Sequence, residues 1–299
     1  MDSPLLFPVS LAEDKIKVLD ETKLPFKEEY IEVSSLEEAL RVLKAMKTRS
    51  LGQVLLFFYS CVLFSGENTV DDMARRFSRQ RPTFDFSFLG SLVKDKFQKG
   101  PSLKNSVEDF ITRFDKMRKA RADRLAKLLP ESARICTICN FNGELLYLYQ
   151  SMRKLDKSML VYVSETRPYL QGTRLTFWEL SKNNLPVRLI CDAQAAHLMQ
   201  KKLINAVIVG ADRANLRGDI INKIGTYPLA CLACYFDIPF YSLTQYPRDI
   251  DIEKISIEQR PRKEAFMYIE NIRPEFKALY PAFDITKAEM ITQSLQLGG

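Results

Sequence analysis

The sequence predicts an α/β protein in which a mainly helical N-terminal domain precedes a Rossmann-like domain built on a doubly wound parallel sheet. Apolar residues recur at helical spacing up to about residue 129. After Pro130, short β-rich segments alternate with helical ones, which is the pattern of a mostly parallel sheet. A chain of 299 residues is long enough for two domains, so we predict domains at 1–129 and 130–299.

The predicted N-terminal domain begins with a small strand pair, 16–19 with 30–33, and continues with helices. Apolar residues lie three and four positions apart over 36–46, 52–64, 69–79 and 106–129. Ser34 or Ser35 is the predicted N-cap of the first helix, and Glu37 and Glu38 lie in its first turn, where acidic side chains favour the helix dipole. The segment 113–127 interleaves basic with apolar residues and predicts an amphipathic helix with a solvated basic face.

The predicted C-terminal domain alternates strands and helices. The strands are expected at 134–138, 159–163, 187–190, 206–209 and 240–243, and the helices at 145–153, 174–183, 193–201 and 227–236. Parallel strands present their carboxyl ends at one edge of the sheet, and open α/β sheets bind ligands there. Side chains that directly follow the strands are therefore the candidates for a functional site.

Composition and charge exclude several classes of protein. The net charge of +7 is spread along the chain, which favours anionic substrates over a dedicated nucleic-acid surface. No segment reaches the roughly 20 apolar residues needed to span a bilayer, and the first ten residues lack a basic, signal-like region. We therefore expect a cytoplasmic protein that binds neither membrane nor nucleic acid.

Six cysteines include two Cys-x-x-Cys pairs, at 136 and 139 and at 231 and 234. Two such pairs could bind zinc through four thiolates. The second pair, however, lies in an apolar run without a glycine turn, and the pairs are far apart in the chain. We interpret the cysteines as buried thiols and predict no metal and no other cofactor.

The stretch 207–227 joins an apolar strand to a turn that carries acidic, amide and basic side chains. The strand breaks at Gly210, and Asp212 follows at the end where such sheets bind ligands. Asn222 and Lys223 precede a helix, so amide, ammonium and helix N-terminus could bind one anion. This pattern predicts acid/base chemistry beside a phosphate. The alternative is a structural ion pair of Asp212 with Arg213 in an ordinary glycine turn.

Two other strand ends carry candidate groups. Cys139 follows the strand 134–138, where a thiol can act as a nucleophile or an acid/base group, or can lie buried and inert. After the next strand, Arg167 and Gln171 precede a helix, a position that binds phosphate oxygens. The alternative is an ion pair of Glu165 with Arg167 that only fixes the loop.

A series of motifs runs along nearly the whole chain: V-L-D-E-T-K-L-P (18–25), R-P-T (81–83), C-N (139–140), E-T-R-P-Y-L-Q-G-T-R-L-T-F-W-E-L (165–180), G-A-D-R to G-D-I-I-N-K-I-G-T-Y (210–227), I-P-F-Y (238–241), D-I-D-I-E-K-I-S-I-E-Q-R (249–260) and P-A-F-D-I-T (281–286). Together they resemble the methylthioribose-1-phosphate isomerase family, which shares its fold with ribose-1,5-bisphosphate isomerases and the regulatory subunits of the translation-initiation guanine-exchange factor. The two long motifs are specific, whereas R-P-T and C-N alone are weak.

The resemblance implies an aldose-ketose isomerase of methionine salvage that converts methylthioribose 1-phosphate to methylthioribulose 1-phosphate. Cys139 and Asp212 would be its acid/base pair, and Asn222 would hold sugar hydroxyls. The phosphate would lie against Arg49, Arg81, Gln171 and Lys223. By itself, either arginine could be an ordinary surface charge. The resemblance also implies a homodimer whose small-molecule partner is a sugar phosphate.

Three loops depart from the family pattern. Ser50-Leu51-Gly52-Gln53 replaces a turn rich in glycine, alanine and proline after Arg49. Ile138 replaces a histidine before Cys139, and a bulkier segment, 141–150, follows. A small-residue turn near 245–248 is also absent. A non-catalytic subunit that senses sugar phosphates or nucleotides or acts in assembly, or a ribose-1,5-bisphosphate isomerase, is therefore the alternative function.

Overall fold

The chain folds as two compact units in a computed structural model, which describes residues 1–66, 68–97 and 102–297. The contacts place Asp2–Met117 in an N-terminal unit and the residues from Arg118 onward in a C-terminal unit. This division lies inside a long helix, and the domain bounds 1–129 and 130–299 stay a prediction. The predicted α/β class is confirmed, because a mainly helical unit precedes one built on a parallel sheet.

A three-stranded antiparallel sheet begins the N-terminal unit. Strand β1 (Val9–Ala12) pairs with β2 (Lys15–Leu19), which pairs with β3 (Tyr30–Val33). The predicted strand pair is thus confirmed, and β1 adds an edge strand that the sequence pattern did not indicate. Ile16 and Val18 are fully buried on one face of β2, as the two-residue period of a strand requires.

The helices that follow are α1 (Leu36–Lys44), α2 (Leu51–Phe64), α3 (Val70–Gln80), α4 (Phe86–Leu92) and α5 (Leu103–Leu128). Ser35 is the N-cap of α1, since its hydroxyl accepts a hydrogen bond from the backbone of Glu38 at 3.3 Å. Helix α4 was not predicted, because its sequence F-S-F-L-G-S-L has weak helix propensity. None of the helices in the described residues is both long and apolar enough to span a membrane.

Aromatic side chains form the centre of the N-terminal core. Phe57 of α2, Phe77 of α3 and Phe86 of α4 are fully buried. Their ring centroids lie 5.1–5.6 Å apart, with the rings tilted or edge to face, the arrangement that aromatic quadrupoles favour. Burial against these rings, rather than helix propensity, therefore stabilises α4.

The C-terminal unit contains strands β4 (Ser132–Thr137), β5 (Ser158–Ser164), β6 (Val187–Ile190), β7 (Ala206–Gly210), β8 (Arg213–Ala214), β9 (Ile220–Lys223), β10 (Phe240–Thr244), β11 (Phe283–Thr286) and β12 (Gln293–Gln296). Its helices are α6 (Glu144–Lys154), α7 (Trp178–Lys182), α8 (Ala195–Gln200), α9 (Thr226–Tyr235) and α10 (Arg262–Ala265). The helix predicted at 174–183 is divided into a π-helical segment, Gly172–Phe177, and α7.

Six parallel strands form the main sheet in the order β12-β10-β7-β4-β5-β6. The chain runs outward from β4 to β6, returns to the other side of β4 with β7, and continues to β10 and β12. The order therefore reverses between β4 and β7, and this switch point opens a crevice at the carboxyl edge. A second sheet, β11-β9-β8, is antiparallel and begins just after β7.

Two arginines of α5 correct the prediction of a solvated basic face. The helix itself is confirmed, but Arg118 and Arg121 are 1% and 0% exposed. Arg121 forms a two-pronged ion pair with Glu144 and donates to the carbonyls of Thr244 and Leu295. Arg118 donates to the carbonyl of Asn142 at 2.8 Å. A guanidinium can be buried when carboxylate and carbonyl oxygens satisfy its donors, and periodicity alone does not reveal such partners.

Candidate active site

The two predicted acid/base residues follow the strands that flank the switch point. Cys139 stands two residues beyond β4 and Asp212 two residues beyond β7, and these strands are parallel neighbours. Both side chains therefore start from the same edge of the sheet, at the crevice where such folds bind ligands. Each residue is half-buried.

Gly210, at the end of β7, lies between the loop after β4 and the second sheet. A methyl group placed on Gly210 would lie 3.6 Å from Cβ of Phe141 and 3.8 Å from Oδ1 of Asn222. The backbone N–H of Asp212 donates to the carbonyl of Ile221 in β9 at 2.9 Å. The structure thus brings together the segments that carry Cys139, Asp212 and Asn222.

Cys139 has a strained backbone that its neighbours hold in place. Its φ is 65°, in the left-handed region that a cysteine rarely adopts. Its N–H donates to Oγ1 of Thr166 at 2.9 Å, and its carbonyl accepts from the hydroxyl of Thr176. Such strain costs of order 1–3 kcal/mol and concentrates at functional sites. The conformation and its two anchors favour a functional thiol over an inert one.

A buried network extends from Cys139 into the motif 165–180. The side-chain amide of Asn140 donates to Thr176 at 3.1 Å and to Glu179 at 3.4 Å, and Glu179 is 1% exposed. Thr166, Thr176 and Glu179 were not predicted as site residues. Their presence in the most specific motif was the signal that could have identified them.

The loop that carries Gln171 is clamped by a carboxylate that the sequence analysis also missed. Asp192 follows β6 and accepts from the hydroxyl of Ser164 and from the backbone of Thr166 and Arg167, at 2.6–2.8 Å. Gln171 is buried, and its Oε1 accepts no hydrogen bond from the described residues. The ion pair of Glu165 with Arg167, which was the structural alternative, does not appear among the ion pairs of the described residues; Arg167 instead donates to the carbonyl of Ala265.

Gly172→Ala is expected to lower the free energy of unfolding by at least about 2–3 kcal/mol, because overpacking forces backbone movement. A Cβ on Gly172 would lie 1.8 Å from the Ser164 carbonyl oxygen and 2.8 Å from Thr166 Oγ1. Gly210→Ala is the matched control for stability, since its Cβ would make only ordinary contacts. Urea unfolding checks both variants, and equal losses would show that the 164–172 turn is not close-packed.

Asn222 and Lys223 lie in β9 and are buried. Asn222 Nδ2 donates to the Thr226 hydroxyl at 2.9 Å, and this hydroxyl donates to the Lys223 carbonyl at 2.6 Å. The ammonium of Lys223 lies 4.7 Å from the ring centroid of Phe283, a favourable cation–π distance. The two side chains are thus held by their neighbours before any ligand binds.

The N-terminus of α9 holds a carboxylate from the chain itself. Oδ2 of Asp284 accepts from the backbone N–H groups of Gly225 at 2.8 Å and Tyr227 at 3.1 Å. The prediction that this helix N-terminus would bind the substrate's anion is therefore wrong for these two groups. Asp284 lies 59 and 57 residues further along the chain, so local sequence gave no indication of it. Burial raises the pKa of its carboxyl to about 6.

Asp284 should make folding stability fall as pH rises through about 6. Its pKa in the folded protein is raised from 3.8 to about 6, so its contribution, up to about 3 kcal/mol, is full below pH 4 and is lost above pH 6. Urea unfolding of wild type and Asp284→Asn from pH 4.5 to 8 isolates this term. Asp219→Asn is the control with the opposite sign, because hydrogen bonds lower the pKa of Asp219 in spite of its burial. Parallel wild-type and Asp284→Asn curves would contradict the assignment.

In the N-terminal unit, Arg49 is held by Glu21 of the first motif. Glu21 accepts from the Arg49 side chain at 3.3 Å, from its backbone N–H at 3.0 Å and from the Thr48 hydroxyl at 2.7 Å. The neighbouring Asp20 binds Lys47 at 2.8 Å. The motif V-L-D-E-T-K-L-P therefore anchors the 47–49 segment, a function that the sequence analysis did not assign to it.

Arg81 contacts Met46, the residue that precedes this segment. Its guanidinium approaches Sδ of Met46 at 2.7 Å, and Gln53 donates to the Thr48 carbonyl at 2.9 Å. Arg49 and Arg81 are both buried. The alternative that they are ordinary surface charges is therefore wrong, although their role in phosphate binding stays a prediction.

Comparisons with known proteins cover nearly the whole chain. The model of the Initiation factor 2 subunit family matches residues 26–295. The methylthioribose-1-phosphate isomerase of Thermotoga petrophila is 37% identical over 93% of this chain and 90% of its own length. The prediction of an isomerase agrees with the class named for this relative.

Two solved structures are similar over the full fold. The 5-methylthioribose 1-phosphate isomerase of Pyrococcus horikoshii has a TM-score of 0.79 and 27% identity, covering 99% of this chain and 93% of that one. The translation initiation factor eIF-2B subunit delta of A. fulgidus has a TM-score of 0.72 and 30% identity. The match covers 97% of this chain and 94% of that one. By its sequence matches and its fold, the chain belongs to the Initiation factor 2 subunit family and, as its motifs predicted, to the methylthioribose-1-phosphate isomerase family.

Proposed function

We propose that this protein is an aldose-ketose isomerase that converts methylthioribose 1-phosphate to methylthioribulose 1-phosphate, with Cys139 and Asp212 as its acid/base pair. The observation that carries the proposal is the position of these residues after β4 and β7, on either side of the switch point. A strained cysteine held by two threonines supports it further. Relatives with the isomerase name match over most of the chain.

The reaction is demanding because the phosphate blocks the anomeric oxygen, so ordinary hemiacetal opening is excluded. The bond between C1 and the ring oxygen must break, C1 must gain the hydrogen that C2 loses, and the C2 hydroxyl proton must leave as its carbonyl forms. In our proposal Asp212 exchanges a proton with the ring oxygen, and Cys139 moves the C2 proton. Each positioned proton transfer contributes about 10²–10⁴-fold.

Substrate binding is assigned by the chemistry of the remaining groups. Asn222 would hold sugar hydroxyls, and Lys223 and Gln171 would contact the phosphate within the C-terminal unit. Gln171 would donate to the phosphate through Nε2, and its buried Oε1, which has no described hydrogen-bond donor, would accept from a hydroxyl of the ligand. Arg49 and Arg81 would also contact phosphate, as the family resemblance implies. A homodimer and a cytoplasmic location are further parts of the proposal.

A direct assay tests the proposal. The purified protein is incubated with methylthioribose 1-phosphate and, in parallel, ribose 1,5-bisphosphate, and the ketose product is followed by NMR. We expect turnover of the first substrate, with loss in Asp212→Asn. If only ribose 1,5-bisphosphate is converted, that compound replaces methylthioribose 1-phosphate as the substrate. If neither is converted, the isomerase proposal is overturned.

A non-catalytic subunit is the second candidate. The bulky Phe141 lies beside Gly210, at the strand end where the sugar would bind, and the similar eIF-2B subunit delta bears the name of a translation factor. This candidate predicts that sugar phosphates or nucleotides raise the melting temperature without being converted. Stabilisation that is unchanged in Cys139→Ser, together with no turnover, would favour it.

A further inference from the structure

Asp284 connects three elements of the C-terminal unit at one point. It stands directly opposite Asn222 in the register of β9 and β11, and opposite residues of an antiparallel pair project from the same face. Its carboxylate also holds the backbone N–H groups on both sides of Thr226. A side chain of β11 therefore fixes the backbone that carries Thr226.

Thr226 in turn sets the orientation of the Asn222 side-chain amide, because its hydroxyl can pair only with the NH2 group of that amide. Its hydroxyl has one proton, which it donates to the carbonyl of Lys223 at 2.6 Å. The hydroxyl oxygen can then only accept from Asn222, and Nδ2 donates to it at 2.9 Å. Oδ1 of Asn222 consequently faces Gly210, at the end of β7. Asn222 thus offers a hydrogen-bond acceptor beside the loop of Asp212.

We propose that Asp284 is a positioning residue for the isomerase reaction, which acts through Thr226 to aim the carbonyl oxygen of Asn222 at a sugar hydroxyl. This inference rests on the proposed function, because the sugar hydroxyl belongs to the proposed substrate. Asp284 contacts backbone amides rather than the reacting atoms, so it is not a catalytic residue. It is also separate from the five groups that the family resemblance assigns to substrate and phosphate.

The free oxygen of Asp284 makes a conservative variant informative. Oδ1 is buried and accepts no hydrogen bond from the described residues. Asparagine at this position can keep one oxygen on Gly225 and Tyr227 and place its amide nitrogen where Oδ1 now lies. Alanine removes the acceptor altogether. The two variants therefore separate the geometry of the turn from the charge of the carboxyl.

Kinetics of these variants are the main test. We expect Asp284→Ala to lower kcat/KM by about 10- to 100-fold, as misplaced substrate contacts do, and Asp284→Asn to retain most of the activity. Asp219→Asn is the matched control, because Asp219 caps Ala288 and Asn215 in the same unit and has no hydrogen bond to Thr226 or Asn222. Equal losses in Asp284→Ala and Asp219→Asn would overturn the proposal.

A double-mutant cycle distinguishes positioning from general destabilisation. If Asp284 acts through Asn222, then Asp284→Ala lowers kcat/KM by less than about twofold in an Asn222→Ala background, since coupled residues are not additive. A purely structural role gives the same factor in both backgrounds, and that result would contradict the inference. Melting temperatures of the four proteins show the stability effect separately.

The proposed function and the positioning role fail by different results. If the wild type shows no turnover, the isomerase proposal is refuted but the positioning role of Asp284 is not. NMR hydrogen exchange then tests whether Asp284 orients Asn222, and it needs no substrate. We expect Asp284→Ala to speed exchange of the Asn222 side-chain amide and of the Gly225 and Tyr227 backbone amides, with smaller changes in Asp284→Asn. Unchanged exchange at Asn222 would refute the positioning role.

Discussion

Asp212→Asn and Cys139→Ser are each expected to lower kcat by about 10²–10⁴-fold, which is the range for loss of a positioned acid or base. The amide cannot exchange a proton as a carboxyl does, and a serine hydroxyl is a far weaker acid than a thiol. KM should change little, because neither substitution removes a phosphate contact. Steady-state kinetics on methylthioribose 1-phosphate measure both constants.

Two control variants, one cysteine and one aspartate, make this result specific. Cys191 is the first residue after β6, much as Cys139 stands two residues beyond β4, but it is exposed and lies away from the switch point. Cys191→Ser and the exposed Asp251→Asn should keep wild-type kcat. Wild-type kcat in either site variant, with folding intact, would remove that residue from the acid/base pair.

Arg121→Met should lower the free energy of unfolding by about 3–5 kcal/mol, because it leaves the buried Glu144 carboxylate without its partner. Arg121 is fully buried and also donates to the carbonyls of Thr244 and Leu295. The variant therefore removes donors from the start of α6 and from the ends of β10 and β12. Urea unfolding at neutral pH measures the loss.

The double variant Arg121→Met/Glu144→Leu identifies the cause. Replacing both charges with apolar groups removes the buried, unpaired carboxylate, so we expect at least half of the lost stability to return. Lys127→Met, on the same helix but exposed, should change the free energy of unfolding by less than about 0.5 kcal/mol. No recovery in the double variant would mean that the carbonyl contacts, rather than the ion pair, dominate.

Much of the fold could be predicted from the sequence because its determinants are local. The strand β6 lies at the predicted residues 187–190, and β10 and α9 lie within one residue of their predicted bounds. Apolar runs between turn residues were sufficient for these elements. Strand β12, by contrast, has the polar sequence Q-S-L-Q and, among the described strands, pairs with β10 alone. Its pattern carried no sign of a sheet edge.

The candidate site was predictable to the extent that it lies in motifs and at strand ends. Cys139 and Asp212 were predicted as candidates because each follows an apolar strand, and the family resemblance supplied the roles proposed for them. The groups that hold the surrounding loops in place were not predicted, among them Thr166, Asp192 and Asp284. Each of these side chains bonds to a partner at least 20 residues away in the chain. Hydrophobic periodicity does not indicate such distant pairs.

By itself, the sequence determined the class of fold, the order of the elements, the family and the candidate side chains for the chemistry. Only the tertiary structure decided that β7 returns beside β4, that Arg118 and Arg121 are buried, and that Asp284 occupies the N-terminus of α9. The physical reason is that hydrophobic periodicity reports which face of a local element is apolar. The partner of a buried charge or an orphan backbone amide is selected by three-dimensional packing of distant segments.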